Sequence, residues 1–110
     1  MITAFRKRLE EFVRRADLER SYEISFKIVF GAVAAYANGK IFASCGKFGV
    51  ALKLPGEVCD SLFQEGTAQP LKYFEAGHVK RNYAVLGDGL LADQKQVVRM
   101  AQQSAGFVQH

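Results

Sequence analysis

Residues 27–54 read KIVFGAVAAYANGKIFASCGKFGVALKL, and the turns inside that stretch decide the fold. Asn38-Gly39 is the strongest short hairpin dipeptide, because both central residues of a type I′ turn need φ > 0. Gly46-Lys47-Phe48-Gly49 is a second, looser turn. Between them the chain is rich in β-formers. The spacing predicts three strands in a meander, over 29–37, 40–45 and 49–54. In the middle strand Ile41, Ala43 and Cys45 alternate with Phe42 and Ser44; in the third, Val50, Leu52 and Leu54 alternate with Ala51 and Lys53. One face is therefore expected to be buried.

Upstream, Ile24, Phe26 and Ile28 alternate with Ser25 and Lys27, a period-2 run that leads toward the sheet. Before it, Phe5, Leu9, Phe12, Val13 and Ala16 recur at helical spacing and predict an amphipathic helix over 4–20. Downstream, Pro55-Gly56 breaks the strand, and 57–64 reads as a short helix with Gly66 as its C-cap. Residues 67–70 read as a loop, 71–75 and 82–86 as strands, and Ala76-Gly77-His78 as the turn between them. Gly87-Asp88-Gly89 reads as a flexible connection. Asp93 with Gln96 fits a capping box that opens a last helix with the stripe Val97, Ala101, Ala105 and Val108. The expected fold class is α+β: two layers, an antiparallel sheet in the order α-βββ-α-ββ-α, helices packed on one face. All 110 residues form one domain.

Composition narrows the function. Hydrophobic residues make up 49% of the chain, enough for a real core. No apolar run approaches the roughly 20 residues of a membrane span, and charges interrupt the start of the chain, so a cytoplasmic protein is expected. The net charge of +4 is mild. In the first helix, Arg6, Lys7, Arg8, Arg14, Arg15 and Arg20 face Glu10, Glu11, Asp17 and Glu19 at pairing distances typical of a solvated helix surface.

Catalytic constellations are weak. Cys45 and Cys59 read as small buried hydrophobes. Histidine occurs only at His78, in a turn, and His110, at the end, so zinc-site spacing is absent. The glycines make neither a GxGxxG nor a P-loop. Glu57, Asp60 and Glu65 share a helix surface. No enzyme, no metal and no cofactor is expected. Tyr73 and Tyr83 with Lys72, Lys80 and Arg81 mix aromatics and cations, the pattern of a nucleic-acid platform and equally of an ordinary hairpin surface.

The residues quoted so far resemble the N-terminal domain of the TfoX/Sxy family, regulators of bacterial competence. The family opens its sheet with a Met-Phe-Gly-Gly-like turn after a basic residue; Lys27, Val29, Phe30 and Gly31 stand there. An aromatic and an Asp/Asn-Gly hairpin followed by Phe come next, matched by Tyr36, Asn38, Gly39 and Phe42. A Leu-Tyr-Leu-Lys-like strand is matched by Val50, Ala51, Leu52 and Lys53, and a later aromatic pair by Tyr73 and Phe74. Tyr83 and Leu86 match an aromatic before a Leu-Pro step, which here reads Leu86-Gly87. The likeness spans about residues 5–106. It implies a two-layer fold akin to secretion-chaperone-like domains, without the helical C-terminal domain of the competence regulators. It also implies a non-enzymatic regulatory module with no catalytic residues, acting with a protein partner in transcription, as a coactivator beside the cyclic-AMP receptor protein. Phe30, Gly31, Tyr36, Gly39, Phe42, Lys53, Tyr73 and Tyr83 are then mainly structural, with the rings of Phe30 and Phe42 expected in the core. Lys53 is either an edge-strand guard or, with Lys72, Lys80 and Arg81, a contact to an acidic partner. A nucleic-acid-binding domain and a small-ligand binder or enzyme stand as alternatives. A homodimer is expected to cover exposed sheet surface.

Overall fold

Tight hairpins assemble the first four strands. The computed structural model describes residues 1–72 and 80–110. Strands β1 (Ile24–Val29) and β2 (Ala32–Ala37) are joined by Phe30-Gly31, and β2 and β3 (Lys40–Gly46) by Asn38-Gly39. Both loops hold two residues at positive φ: 51° and 74° in the first, 52° and 80° in the second. That backbone matches the right-handed twist of paired strands. Asn38 also anchors the base of β1, because its Oδ1 accepts from Glu23 N and its own amide donates to Glu23 O, each at 2.8 Å. A third hairpin leads into β4 (Gly49–Lys53).

The expected meander is thus corrected from three strands to four. Its first strand, read as 29–37, is cut at Phe30-Gly31, and the run before it is a full strand. The turn was hidden because an L-residue with a bulky ring rarely takes the left-handed conformation. Phe-Gly therefore looks like strand where Asn-Gly looks like turn.

The sheet is completed by β6 (Lys80–Leu86) and β5 (Ala68–Leu71), in the order β1-β2-β3-β4-β6-β5, antiparallel throughout. The segment read as a loop over 67–70 is mostly β5. Of the strand expected over 71–75, only Leu71 and Lys72 fall among the described residues, as does no part of the Ala76-Gly77-His78 turn. Gly87 donates its amide to Thr67 O at 2.9 Å, and a Cβ there would lie 2.7 Å from the same oxygen. A proline at this position would lose that donor, which accounts for Leu86-Gly87 in place of a Leu-Pro step.

Among the described residues, four α-helices flank the sheet. Helix α1 (Ile2–Arg15) stops short of the expected residue 20, because Asp17 turns left-handed at φ 54° and a 3-10 turn over Leu18–Arg20 buries Leu18. Helix α2 (Gly56–Glu65) ends at Gly66 in the left-handed region, as expected. A short α3 (Asp88–Ala92) replaces the expected flexible connection, because Leu90 and Leu91 pack on the core. Helix α4 (Gln94–Phe107) is capped by Asp93, whose side chain accepts from the amides of Lys95 and Gln96. Gln96 does not return the cap; its Oε1 accepts from Arg99.

One continuous core lies between the sheet and the helices. It gathers Leu9, Phe12 and Val13 from α1, Cys59 and Leu62 from α2, and Val97, Met100 and Ala101 from α4. The sheet supplies Val33, Ala35, Phe42, Cys45, Val50 and Leu52, among others. A register shift opposite Ala35 and Tyr36 inserts one extra residue in β3. This bulge lets Phe42 and Ala43 both enter the core and turns Ile41 to the opposite face. Ser104 pins α4 to two strands, its Oγ lying 2.9 Å from Phe42 O and 2.6 Å from Lys53 O. Among the described residues, the opposite face carries a small cluster of Phe48, Ala51, Leu71, Tyr83 and Val85, with no helix residue in it.

Candidate functional site

That second face is where the surface chemistry collects. Among the described residues the strands contain no Asp or Glu, yet they carry Lys27, Lys53, Lys80 and Arg81, and also Lys40, which lies on the helix side with its Nζ donating to Gln109 O at 3.4 Å. Register assigns sides. Ala34, Ser44 and Ala51 lie side by side across β2, β3 and β4 on the helix-free face, all buried. Among the described residues Ser44 Oγ has no hydrogen-bond partner. Around this small-residue floor stand larger groups. Tyr36 lies beneath Lys27, whose Nζ is 5.2 Å from the ring centroid. Phe48 lies across Gly46 and Ala32, so close that a Cβ on Gly46 would sit 2.8 Å from its Cε2. Tyr83 stands opposite Lys53 in register, with Lys80 Nζ 5.9 Å from its centroid. A depression beside Phe48 is lined by Gln69, Pro70, Lys72 and Val85.

Each expected site residue now has a place. Gly31 and Gly39 hold the positive-φ loop positions and Phe42 fills the core, as expected. The ring of Phe30 does not: it is 80% exposed at the hairpin tip. Lys53 ends a central strand with β3 on one side and β6 on the other, so it guards no edge. Its side chain lines a recess with Lys40, Asn82 and His110 beside the end of α4. Lys72, Lys80 and Arg81 gather at one end of β5 and β6. Tyr83 is only 3% exposed, which removes it as a stacking platform. Tyr73 and His78 lie outside the described residues. Sequence reasoning read Lys27 as the basic residue before the first turn and Phe48 as part of the second turn, and gave neither a place in the site; the period-2 run around Lys27 was the available signal.

The thiols are sequestered. Burial pushes Cys45 up, slightly opposed by the positive charge of Arg8. Burial, then the charge of Asp60, pushes Cys59 up, and its Sγ donates to Leu54 O at 3.7 Å. Both are poor nucleophiles at neutral pH. Among the described residues, no three His, Cys, Asp or Glu side chains cluster to hold a metal ion. No helix among them is long and apolar enough to cross a membrane.

The family model described as the TfoX N-terminal domain matches residues 17–108. The chain belongs to the TfoX N-terminal domain family. The match begins just after α1 and takes in the whole sheet, α2, α3 and α4. No curated protein matches the chain. In this TfoX N-terminal domain the Phe-Gly and Asn-Gly positions are both hairpin loops, and the strand ending at Lys53 is the fourth in the sheet counted from β1. The motif block is thus largely a description of how the sheet is folded.

Proposed function

We propose that this TfoX N-terminal domain is a non-enzymatic regulatory module of the cytoplasm, acting in transcription control by holding a protein partner on the helix-free face of its sheet. The observation that carries the reading is the sign of that sheet: its strands bear cations and no carboxylate, while the acidic residues of the described chain sit on helices and their connections. Such segregation favours an acidic partner and speeds its encounter. Two sequestered thiols support the absence of covalent catalysis. Cation-bearing aromatic residues favour nucleic acid as the second reading. The burial of Tyr83 counts against it, because base stacking needs an open ring face.

A photo-cross-linking side chain at Lys27 or Lys53, compared with one at Gln103 on α4, tests the reading in native cells. Protein adducts from the sheet positions alone are expected. Adducts made only with nucleic acid, or none from either sheet position, would defeat it.

A further inference from the structure

We propose that the domain pairs with a second copy of itself through β1, antiparallel, with Phe26 opposite Phe26 and Ile24 opposite Ile28 across a two-fold axis. The inference goes beyond the partner reading and does not depend on it. β1 is a terminal strand. The amide of Asn38 bonds Glu23 O, and β1 pairs β2 without a register shift as far as Val29 opposite Ala32. Antiparallel ladders alternate, so the odd residues 23, 25, 27 and 29 face β2. The N–H and C=O groups of Ile24, Phe26 and Ile28 therefore point out of the sheet, a ready template for another strand.

Proteins usually blunt such an edge with a proline, a bulge or a projecting lysine. β1 has neither of the first two, and its one lysine lies over the Tyr36 ring of β2. The segment Ile24-Ser25-Phe26-Lys27-Ile28 is also palindromic in polarity, which selects a second copy as occupant. Centring the axis on Phe26 pairs all five residues, sets apolar against apolar and places Ser25 opposite Lys27. Centring it on Lys27 would confront two lysines; centring it on Ser25 would pair only Ile24, Ser25 and Phe26 within β1 and set Lys27 and Ile28 against Glu23 and Tyr22, which precede the strand. Ile28, 68% exposed in one copy, gains the second copy's Ile24. A five-residue strand pair falls below the roughly 1,200 Å² of a standard interface, so a reversible, concentration-dependent dimer is expected.

The register makes a direct test. Residues 25 and 27 of opposite copies would form a non-hydrogen-bonded pair about 4.5 Å apart at Cα, near enough for a disulfide. After air oxidation, the double variant Ser25→Cys/Lys27→Cys should run as a covalent dimer, whereas either single variant should not. The buried native thiols stay silent. Equal cross-linking by a single variant would overturn the register. Sedimentation of the unaltered chain should show a concentration-dependent dimer, and a monomer at every concentration up to millimolar would overturn the proposal. Ile28→Pro removes one outward N–H without touching the ladder to β2, and Ile28→Lys adds charge at an exposed site. Either variant should abolish dimerisation with its far-ultraviolet dichroism unchanged. A dimer that survives in both would also overturn the proposal.

Discussion

The two edges of this sheet are built on opposite terms. β5 has four residues, and the third is Pro70. Thr67 O accepts from Gly87 N, which sets the phase of that ladder and turns the nitrogen of Pro70 outward, where a donor would otherwise be exposed. A register shift follows between Pro70 and Leu71. β1 has six residues, an unbroken register and an outward row of ordinary amides. One edge is blunted within its own sequence, and the other is left open. The difference lies in what each edge will accept.

Four expected outcomes test this contrast, in decreasing size. Phe42→Ala empties a fully buried site in the core beneath the middle of the sheet, between the two edges, and should cost about 3–5 kcal/mol. Chemical denaturation should show one cooperative loss; separate melting of β1 and β5 would mean that the edges do not share a foundation. Pro70→Val restores an outward donor to β5, and light scattering should then report assemblies larger than a dimer. If assembly is unchanged, the proline is no guard. Gly31→Ala places a Cβ at φ 74°, and the left-handed penalty of roughly 1–2 kcal/mol should lower the melting temperature and loosen the β1 hairpin. Gly66→Ala, at the same φ of 74° but far from β1, is the control.

The smallest outcome concerns pH. Both thiols are pushed up in the fold, so the unfolded chain ionises first. Their contribution to stability is whole below the ordinary thiol range and is lost as pH rises toward the folded values. Melting temperatures of the wild type and of Cys45→Ala/Cys59→Ala should converge as pH rises from 8 to 10. A gap that widens instead would show that the thiols are not held protonated by the core.

Legibility followed how much of a feature was local. Asn38-Gly39, the Gly66 cap, the Asp93 cap and the apolar stripes of α1 and α4 are decided within a few residues, and all could be read directly. Phe30-Gly31 could not, because the hairpin forces a conformation that phenylalanine resists on its own. β5 was lost because Ala-Gln-Pro-Leu contains a strand breaker that only an edge tolerates. The cations Lys53, Lys72, Lys80 and Arg81 were legible as a group. What surrounds them was not, since only the register sets Lys53 opposite Tyr83 and Lys80 opposite Leu71. Lys53 looked like an edge residue because sequence order hides that β6 crosses back to lie beside β4.

The hydroxyl of Ser104 reaches the carbonyls of Phe42 and Lys53, which sit 62 and 51 residues earlier. A hydroxyl carries a single proton, so the two carbonyls share one donor and the helix is fastened to both strands through the same atom. Removing that one oxygen would loosen both attachments together.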